Sequence, residues 1–368
     1  MPKLKKENIK RIVVRGTNWV GDAVMTVPAL RELRRLFPDA HITLATRPWA
    51  KELFANAEFL DDLFVFDRRG IGSVVSQISE WKKHRFDLAV LFQNAFEAAL
   101  VPALARVPVR IGYATEGRSF LLTNPLTLPE WRSSKHEVFY YLNIIAEVER
   151  LFLGSSRSVE DYKPETSLRI STEREMAGRD LLRTQNLNSN QRVIALCPGS
   201  INSRAKRWPA ERFAALADLL IESRAQILLI GSPEELDVSR EVASRMKHKP
   251  VILTGKTSLS QAVDVLSAVD LLVTNDTGPA HVAAALGRPT LVIFGPTNPE
   301  TTRPFSSIAE IVRHPPDCAP CMLRDCPIDH RCMTAITPEE AYERVQAMLG
   351  DKATTGTSAN ACPTGAVA

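Results

Sequence analysis

No apolar stretch of the sequence reaches the roughly 18 residues that a membrane-spanning helix requires. Even the long run from Ala98 to Val109 is broken by Pro102 and Arg106. A secretory leader is not expected either, because the basic start, Lys3 to Arg11, is followed by only Ile12-Val13-Val14 before Arg15, too short for the apolar part of a signal peptide. A retained, cytoplasmic chain is expected. Charge of one sign is scarce: the net +4 suits an anionic ligand or membrane surface but gives no footprint for nucleic acid. Neither common nucleotide loop is present. There is no Gly-x-Gly-x-x-Gly after the first strand, and the turn Thr17-Asn18-Trp19-Val20-Gly21-Asp22 carries Asp22-Ala23 where a phosphate loop would carry Lys-Ser or Lys-Thr. A dinucleotide-dependent dehydrogenase is disfavoured on that ground.

What is present is length and rhythm. A chain of 368 residues exceeds the ~250–300 at which one core stops growing, so two domains are expected. Short apolar runs alternate with amphipathic stretches, the pattern of βαβ units and parallel sheets. Strands are expected near Arg11–Gly16, His41–Thr46, Asp62–Phe66, Phe86–Phe92 and Arg110–Gly112, with helices near Asp22–Leu36, Trp49–Ala55, Ser73–His84, Ala95–Ala105 and Lys135–Leu151. From Gly154 to Ser167 the chain turns polar and loses periodicity, as a linker would. The rhythm then restarts, with strands near Arg192–Cys197, Gln226–Ile230, Val251–Leu253, Asp270–Thr274 and Thr290–Phe294, and a closing helix at Pro338–Leu349. The division is therefore 1–165, 166–350 and a small, polar, disordered tail over 351–368. Two α/β halves point to a ligand held between them at the carboxyl ends of their strands.

Three strand-to-helix turns carry chemistry. Asn275-Asp276-Thr277-Gly278-Pro279-Ala280-His281 leads from an apolar strand into a helix whose first N–H groups lack intrahelical partners and face the positive dipole end, a ready phosphate site. Asp276 or Thr277 could equally be a simple cap, and His281, one turn beyond Thr277, could be a core histidine. The loop Cys197-Pro198-Gly199-Ser200-Ile201-Asn202-Ser203-Arg204-Ala205-Lys206-Arg207-Trp208-Pro209 offers donors at Gly199, Ser200 and Asn202. Lys206 and Arg207 can neutralise a diphosphate, although Arg207 fits a solvated basic loop as well. Glu234 and Glu235, after the next strand, can accept hydrogen bonds from a ribose or merely begin a helix. Asp22, which would repel phosphate, suits a general base facing an acceptor hydroxyl across the cleft, with helix capping as the alternative.

Together, Gly21-Asp22, Lys206-Arg207-Trp208-Pro209 and Asn275 to His281, in that order over about Arg11 to Leu349, resemble the ADP-heptose:lipopolysaccharide heptosyltransferases of glycosyltransferase family 9. The resemblance implies a GT-B fold, two doubly wound Rossmann-like domains facing across a cleft, with residues 1–165 binding the acceptor and 166–350 the nucleotide sugar. It implies inverting transfer without a metal ion or other cofactor, from ADP-heptose to the first heptose of a Kdo-lipid A inner core. Asp22 then resembles the general base and Lys206 the diphosphate-binding lysine. Thr277, Gly278 and His281 resemble the donor phosphate and sugar contacts, Asp276 a contact to heptose hydroxyls, and Glu234 or Glu235 the ribose acid. A lipid-linked acceptor also implies peripheral contact with the inner face of the inner membrane. An anionic acceptor would give Arg47, Arg68, Arg69 and Arg118 a use, against the reading that each is ordinary surface. Four of the six cysteines, Cys318-x2-Cys321-x4-Cys326-x5-Cys332, lie in one proline-bearing stretch; their spacing is not the paired form diagnostic of zinc, and the metal question stays open.

Overall fold

Parallel strands are covered on both faces and so consist of near-continuous apolar residues, as Ile12-Val13-Val14, Leu88 to Leu91 and Leu271-Leu272-Val273 do here. In the computed structural model, which describes residues 5–66, 70–187 and 190–350, these runs are fully buried at the centres of two six-stranded sheets. The first sheet contains β1 (Arg11–Arg15), β2 (His41–Thr46), β3 (Asp62–Val65), β4 (Leu88–Leu91), β5 (Val109–Tyr113) and β6 (Asn124–Leu126). Its spatial order is β3-β2-β1-β4-β5-β6, parallel throughout. The second contains β7 (Val193–Cys197), β8 (Gln226–Leu229), β9 (Val251–Ile252), β10 (Leu271–Asn275), β11 (Thr290–Ile293) and β12 (Ala309–Val312), in the order β12-β11-β10-β7-β8-β9, also parallel. Counted from its own first strand, each sheet has the same doubly wound order. The crevice where strand order reverses therefore lies between β1 and β4 in one sheet and between β7 and β10 in the other. This is the GT-B arrangement.

The helices are α1 (Val20–Met25), α2 (Val27–Leu36), α3 (Pro48–Phe54), α4 (Gly70–His84), α5 (Phe96–Leu104) and α6 (Glu137–Leu153) in the first half. The second half has α7 (Thr172–Thr184), α8 (Ala210–Glu222), α9 (Leu236–Arg245), α10 (Leu259–Ala268), α11 (Gly278–Ala285), α12 (Pro299–Thr302), α13 (Arg331–Thr334) and α14 (Pro338–Leu349). One apolar cluster is continuous across both halves, from Val14 and Leu30 through Tyr141 to Leu272 and Val282.

Two departures from the sequence pattern have local causes. The helix expected over 22–36 is divided at Thr26, where Pro28 has no N–H to give and the Thr26 hydroxyl returns to the Ala23 carbonyl at 2.7 Å. Strands β6 and β12 were not anticipated. Both are short edge strands; β6 contains Pro125, and an edge is where a strand tolerates proline. The expected tail, 351–368, lies outside the described residues. No described helix is long and apolar enough to cross a membrane.

Candidate active site at the paired switch points

All three sequence motifs fall at the strand ends that the topology brings together: Gly21-Asp22 in the first turn of α1 after β1, the Lys206 loop after β7, and Asn275 to His281 from the end of β10 into α11. The first turns of α1 and α11 pack directly on each other. A Cβ on Gly21 would stand 3.0 Å from His281 Cδ2, and one on Gly278 would stand 3.1 Å from Val20 Cβ. Glycine at both positions is what allows the two helix starts, one from each half, to approach this closely.

Asp22 does not cap its helix. The N-cap is Trp19, without a side-chain hydrogen bond, and Asp22 is the third helical residue. Burial raises its pKa from the ordinary carboxylate value to about 6, against the opposing charges of Arg132 and of Lys206 from the other half. The acid and the lysine thus act on each other across the cleft.

Lys206 Nζ donates to Asp276 Oδ2 at 2.7 Å and to the Asp276 carbonyl at 3.3 Å, and Thr297 Oγ1 donates to the same Oδ2 at 2.7 Å. Asp276 is buried and thereby holds the ammonium in place. Thr277 occupies the N-cap position of α11 in extended conformation, but its hydroxyl is turned toward Thr274 Oγ1 and the Asn275 carbonyl rather than capping. His281 is buried, its Nδ1 has no partner among the described residues, and burial foremost lowers its pKa to about 4. It is therefore a neutral ring with an unspent nitrogen, not a histidine satisfied by a backbone carbonyl.

Asn275 joins the two donor-side loops. Its Nδ2 donates to the Pro198 and Gly199 carbonyls at 2.8 and 3.1 Å, while its Oδ1 accepts from Trp208 N at 3.0 Å. Arg207 is spent inside its own loop, donating to the Ser200 carbonyl at 3.1 and 2.9 Å. Ser200 is buried and Asn202 exposed. Glu234 is exposed, whereas Glu235 is buried, accepts from Ser232 N at 2.8 Å and lies against Gly199, where an added Cβ would be 2.1 Å from Glu235 Oε1.

Of the arginines, Arg118 requires correction. It is fully buried and donates to the Tyr113 and Ala95 carbonyls at 2.9 and 3.2 Å, to Asn94 Oδ1 at 3.0 Å, and to the Gln93 carbonyl. It ties the loop after β4 to the loop after β5 and is wholly buried, away from an acceptor. Arg47 is partly exposed beside the β1 turn, donating to Asn18 Oδ1 at 3.3 Å. Arg68 and Arg69 lie outside the described residues.

Two site residues escaped the sequence reading, Arg132 and Glu137. The pair is two-pronged, with Nη1 to Oε2 at 2.7 Å and Nη2 to Oε1 at 2.9 Å, and the guanidinium lies 4.1 Å over the Tyr140 ring. Glu137 looks in sequence like an ordinary first-turn acid of α6, and only the packing of α6 on α1 brings it to Asp22. His136, just before it, caps α6 through Nδ1, which accepts from Val138 N at 3.3 Å, and Nε2 donates to the Arg303 carbonyl of the second half at 2.7 Å.

The cysteine-bearing segment braces the Lys206 loop. Ala205 N donates to the Arg324 carbonyl at 2.9 Å, Ser203 Oγ to the Leu323 and Arg324 carbonyls at 3.3 and 3.2 Å, and His330 Nε2 bonds the Ala205 carbonyl at 2.6 Å. Cys332 is buried and Cys318 exposed. Among the described residues no three His, Cys, Asp or Glu side chains are grouped as metal ligands.

A general-base candidate and a cation-lined helix start, facing each other from two doubly wound sheets, define a sugar-nucleotide-using transferase. The chain belongs to glycosyltransferase family 9 (heptosyltransferase), whose model matches residues 75–331. Among its relatives is the lipopolysaccharide heptosyltransferase 2 of Escherichia coli, 29% identical over 92% of this chain and 98% of the relative. The lipooligosaccharide heptosyltransferase 2 of Haemophilus ducreyi is 30% identical over 82% of this chain and 88% of the relative. The solved structure of E. coli ADP-heptose lps heptosyltransferase II superposes with a TM-score of 0.79 at 28% identity, covering 92% of this chain and 98% of that one.

Proposed function

We propose that this glycosyltransferase moves L-glycero-D-manno-heptose from ADP-heptose, with inversion, to the first heptose of heptosyl-Kdo-lipid A. The observation that carries the reading is the meeting of Asp22 with Lys206 and the start of α11 across the two switch points. The names of the relatives, which act on lipopolysaccharide or lipooligosaccharide, support the substrate class. Residues 1–165 would hold the acceptor and 166–350 the donor.

In this mechanism Asp22 takes the acceptor hydroxyl proton as that oxygen attacks the anomeric carbon from the face opposite ADP. The departing diphosphate gathers negative charge, which Lys206 and the unpaired N–H groups at the start of α11 stabilise. Neutral His281, its Nδ1 unspent, offers a hydrogen bond without adding a charge. Asp276 Oδ2 is occupied by Lys206 and Thr297, so its other oxygen is the one directed to heptose hydroxyls. Glu235, rather than exposed Glu234, sits against the donor loop as the ribose acid. The positive charge comes from protein groups, so transfer should persist in EDTA. Membrane contact would be peripheral, at the inner face.

Incubation with ADP-heptose and heptosyl-Kdo-lipid A, followed by mass spectrometry, should show one added heptose. No mass gain with this acceptor, but gain on another core sugar or a protein, would replace the acceptor; no turnover with any would leave a nucleotide-sugar-binding protein.

A further inference from the structure

Asp22 carries no hydrogen bond from any described side chain, although a guanidinium lies close enough to bias its ionisation. The charged and titratable groups set around it are Arg132 from the segment before α6, Glu137 and Tyr141 from α6, Lys206 from the loop after β7, and neutral His281 from α11, against Gly21. Lys206 is already committed to Asp276. Arg132 is therefore the cation that could close on Asp22 and form an ion pair with it. Such a pair would block the approach of an acceptor hydroxyl and make the carboxylate a poorer base.

Arg132 is prevented from doing so by geometry. Both of its terminal nitrogens face the Glu137 carboxylate, at 2.7 and 2.9 Å, and its planar face rests 4.1 Å over Tyr140. Tyr140 is itself fixed, its hydroxyl accepting from Asn94 Nδ2 at 2.7 Å and its ring stacked on Tyr113 at 4.2 Å. A two-point fork onto a buried carboxylate is the most directional hold a guanidinium can be given. Glu137 is 8% exposed, a setting in which a carboxylate is kept only with a partner.

We infer that Glu137 is a positioning residue for the transfer reaction: it holds Arg132 off Asp22, so that the base stays unpaired and open to the acceptor hydroxyl. The inference rests on the reading of Asp22 as the base. It assigns Arg132 a double duty, as a charge that lowers the basicity of Asp22 from a distance and as a group that must not touch it. Burial foremost lifts the pKa of Glu137 to about 7, with Arg132 opposing the rise and the Asp22 charge adding to it, so the two carboxyl groups and the guanidinium lie within one another's field.

The test is the pH dependence of single-turnover transfer for wild type, Glu137→Gln, Arg132→Gln, the double variant and Asp22→Asn. Glu137→Gln keeps the shape but frees the guanidinium, so the acidic limb should move to lower pH by about half a unit or more while the plateau rate falls about tenfold, as expected for a weaker and obstructed base. Arg132→Gln should move the limb the other way. The double variant should return toward the wild-type limb. A merely structural role for the pair would lower rates or melting temperature without moving the limb in opposite directions, and that result overturns the inference. If Asp22→Asn transferred at near wild-type rate, the base assignment itself would fall. If Asp22→Asn were inactive and the limbs of the other variants unmoved, only the role of Glu137 would fall.

Discussion

In the proposed mechanism Asp22 and Lys206 make opposite demands on the same small volume, one taking a proton and the other receiving negative charge. Because Asp22 must be ionised to act in this mechanism and burial lifts its pKa to about 6, the transfer rate should fall as pH drops from neutrality through about 6, the more so because the Glu137 carboxyl, lifted to about 7, loses its hold on Arg132 over the same range. A pH profile of kcat/KM checks this. Asp22→Asn should lower kcat by about 10²–10⁴ while leaving the affinity for ADP, measured by calorimetry, within a few fold. Lys206→Ala removes a charge aimed at the leaving group and should lower kcat by about 10²–10³. It also strips Asp276 of its cation, so donor affinity should fall too, a double effect that separates it from Asp22→Asn. Arg118 makes the contrary case. A surface-type residue by chemistry, it is buried and donates to backbone carbonyls and an amide oxygen of two loops, and nothing in its sequence neighbourhood announces that.

Between elements, the decisive contact is α1 on α11. Each begins at the carboxyl end of a central strand, so each presents its dipole and unpaired N–H groups to the same cleft. Gly278→Ala would set a Cβ 3.1 Å from Val20 Cβ, a branched residue that cannot swing aside. The helices must then separate by a few tenths of an ångström. Overpacking of this kind costs about 1–3 kcal/mol, and misplacing the base relative to the donor costs rate as well. A lower melting temperature together with a kcat reduced about tenfold is expected, checked by thermal unfolding and steady-state kinetics; an unchanged kcat would separate the glycine from catalysis. The motifs that lead into these helices were legible because a strand followed by Gly, Asp, Asn and Thr and then a helix is a local pattern. Arg132 and Glu137 were not, because their relevance depends on which face α6 turns to α1, and no short-range spacing encodes that.

At the scale of the molecule, the two halves are held by few but specific polar links besides the shared apolar cluster. Arg174 of α7 donates to Asp264 Oδ1 at 2.6 Å, to the Ser260 carbonyl at 3.2 Å and, across to the first half, to the Glu52 carbonyl at 2.8 Å. Arg174→Ala would leave the mostly buried Asp264 carboxylate unpaired and should destabilise the fold by about 2–3 kcal/mol, measurable by urea unfolding. Together with Asp264→Ala the loss should be smaller than the sum. Local periodicity and turn chemistry, which depend only on neighbours in the chain, determined that this protein has two parallel α/β halves, where their central strands run, and that the turns after β1, β7 and β10 carry its polar chemistry. Only the tertiary structure decided which of those polar groups meet: that Asp22 faces Lys206 from the opposite half, that Glu137 holds Arg132 beside it, and that Arg118 is internal. Burial and charge proximity arise from packing between elements far apart in sequence, and it is these that give a side chain its ionisation, its partners and its access to a ligand.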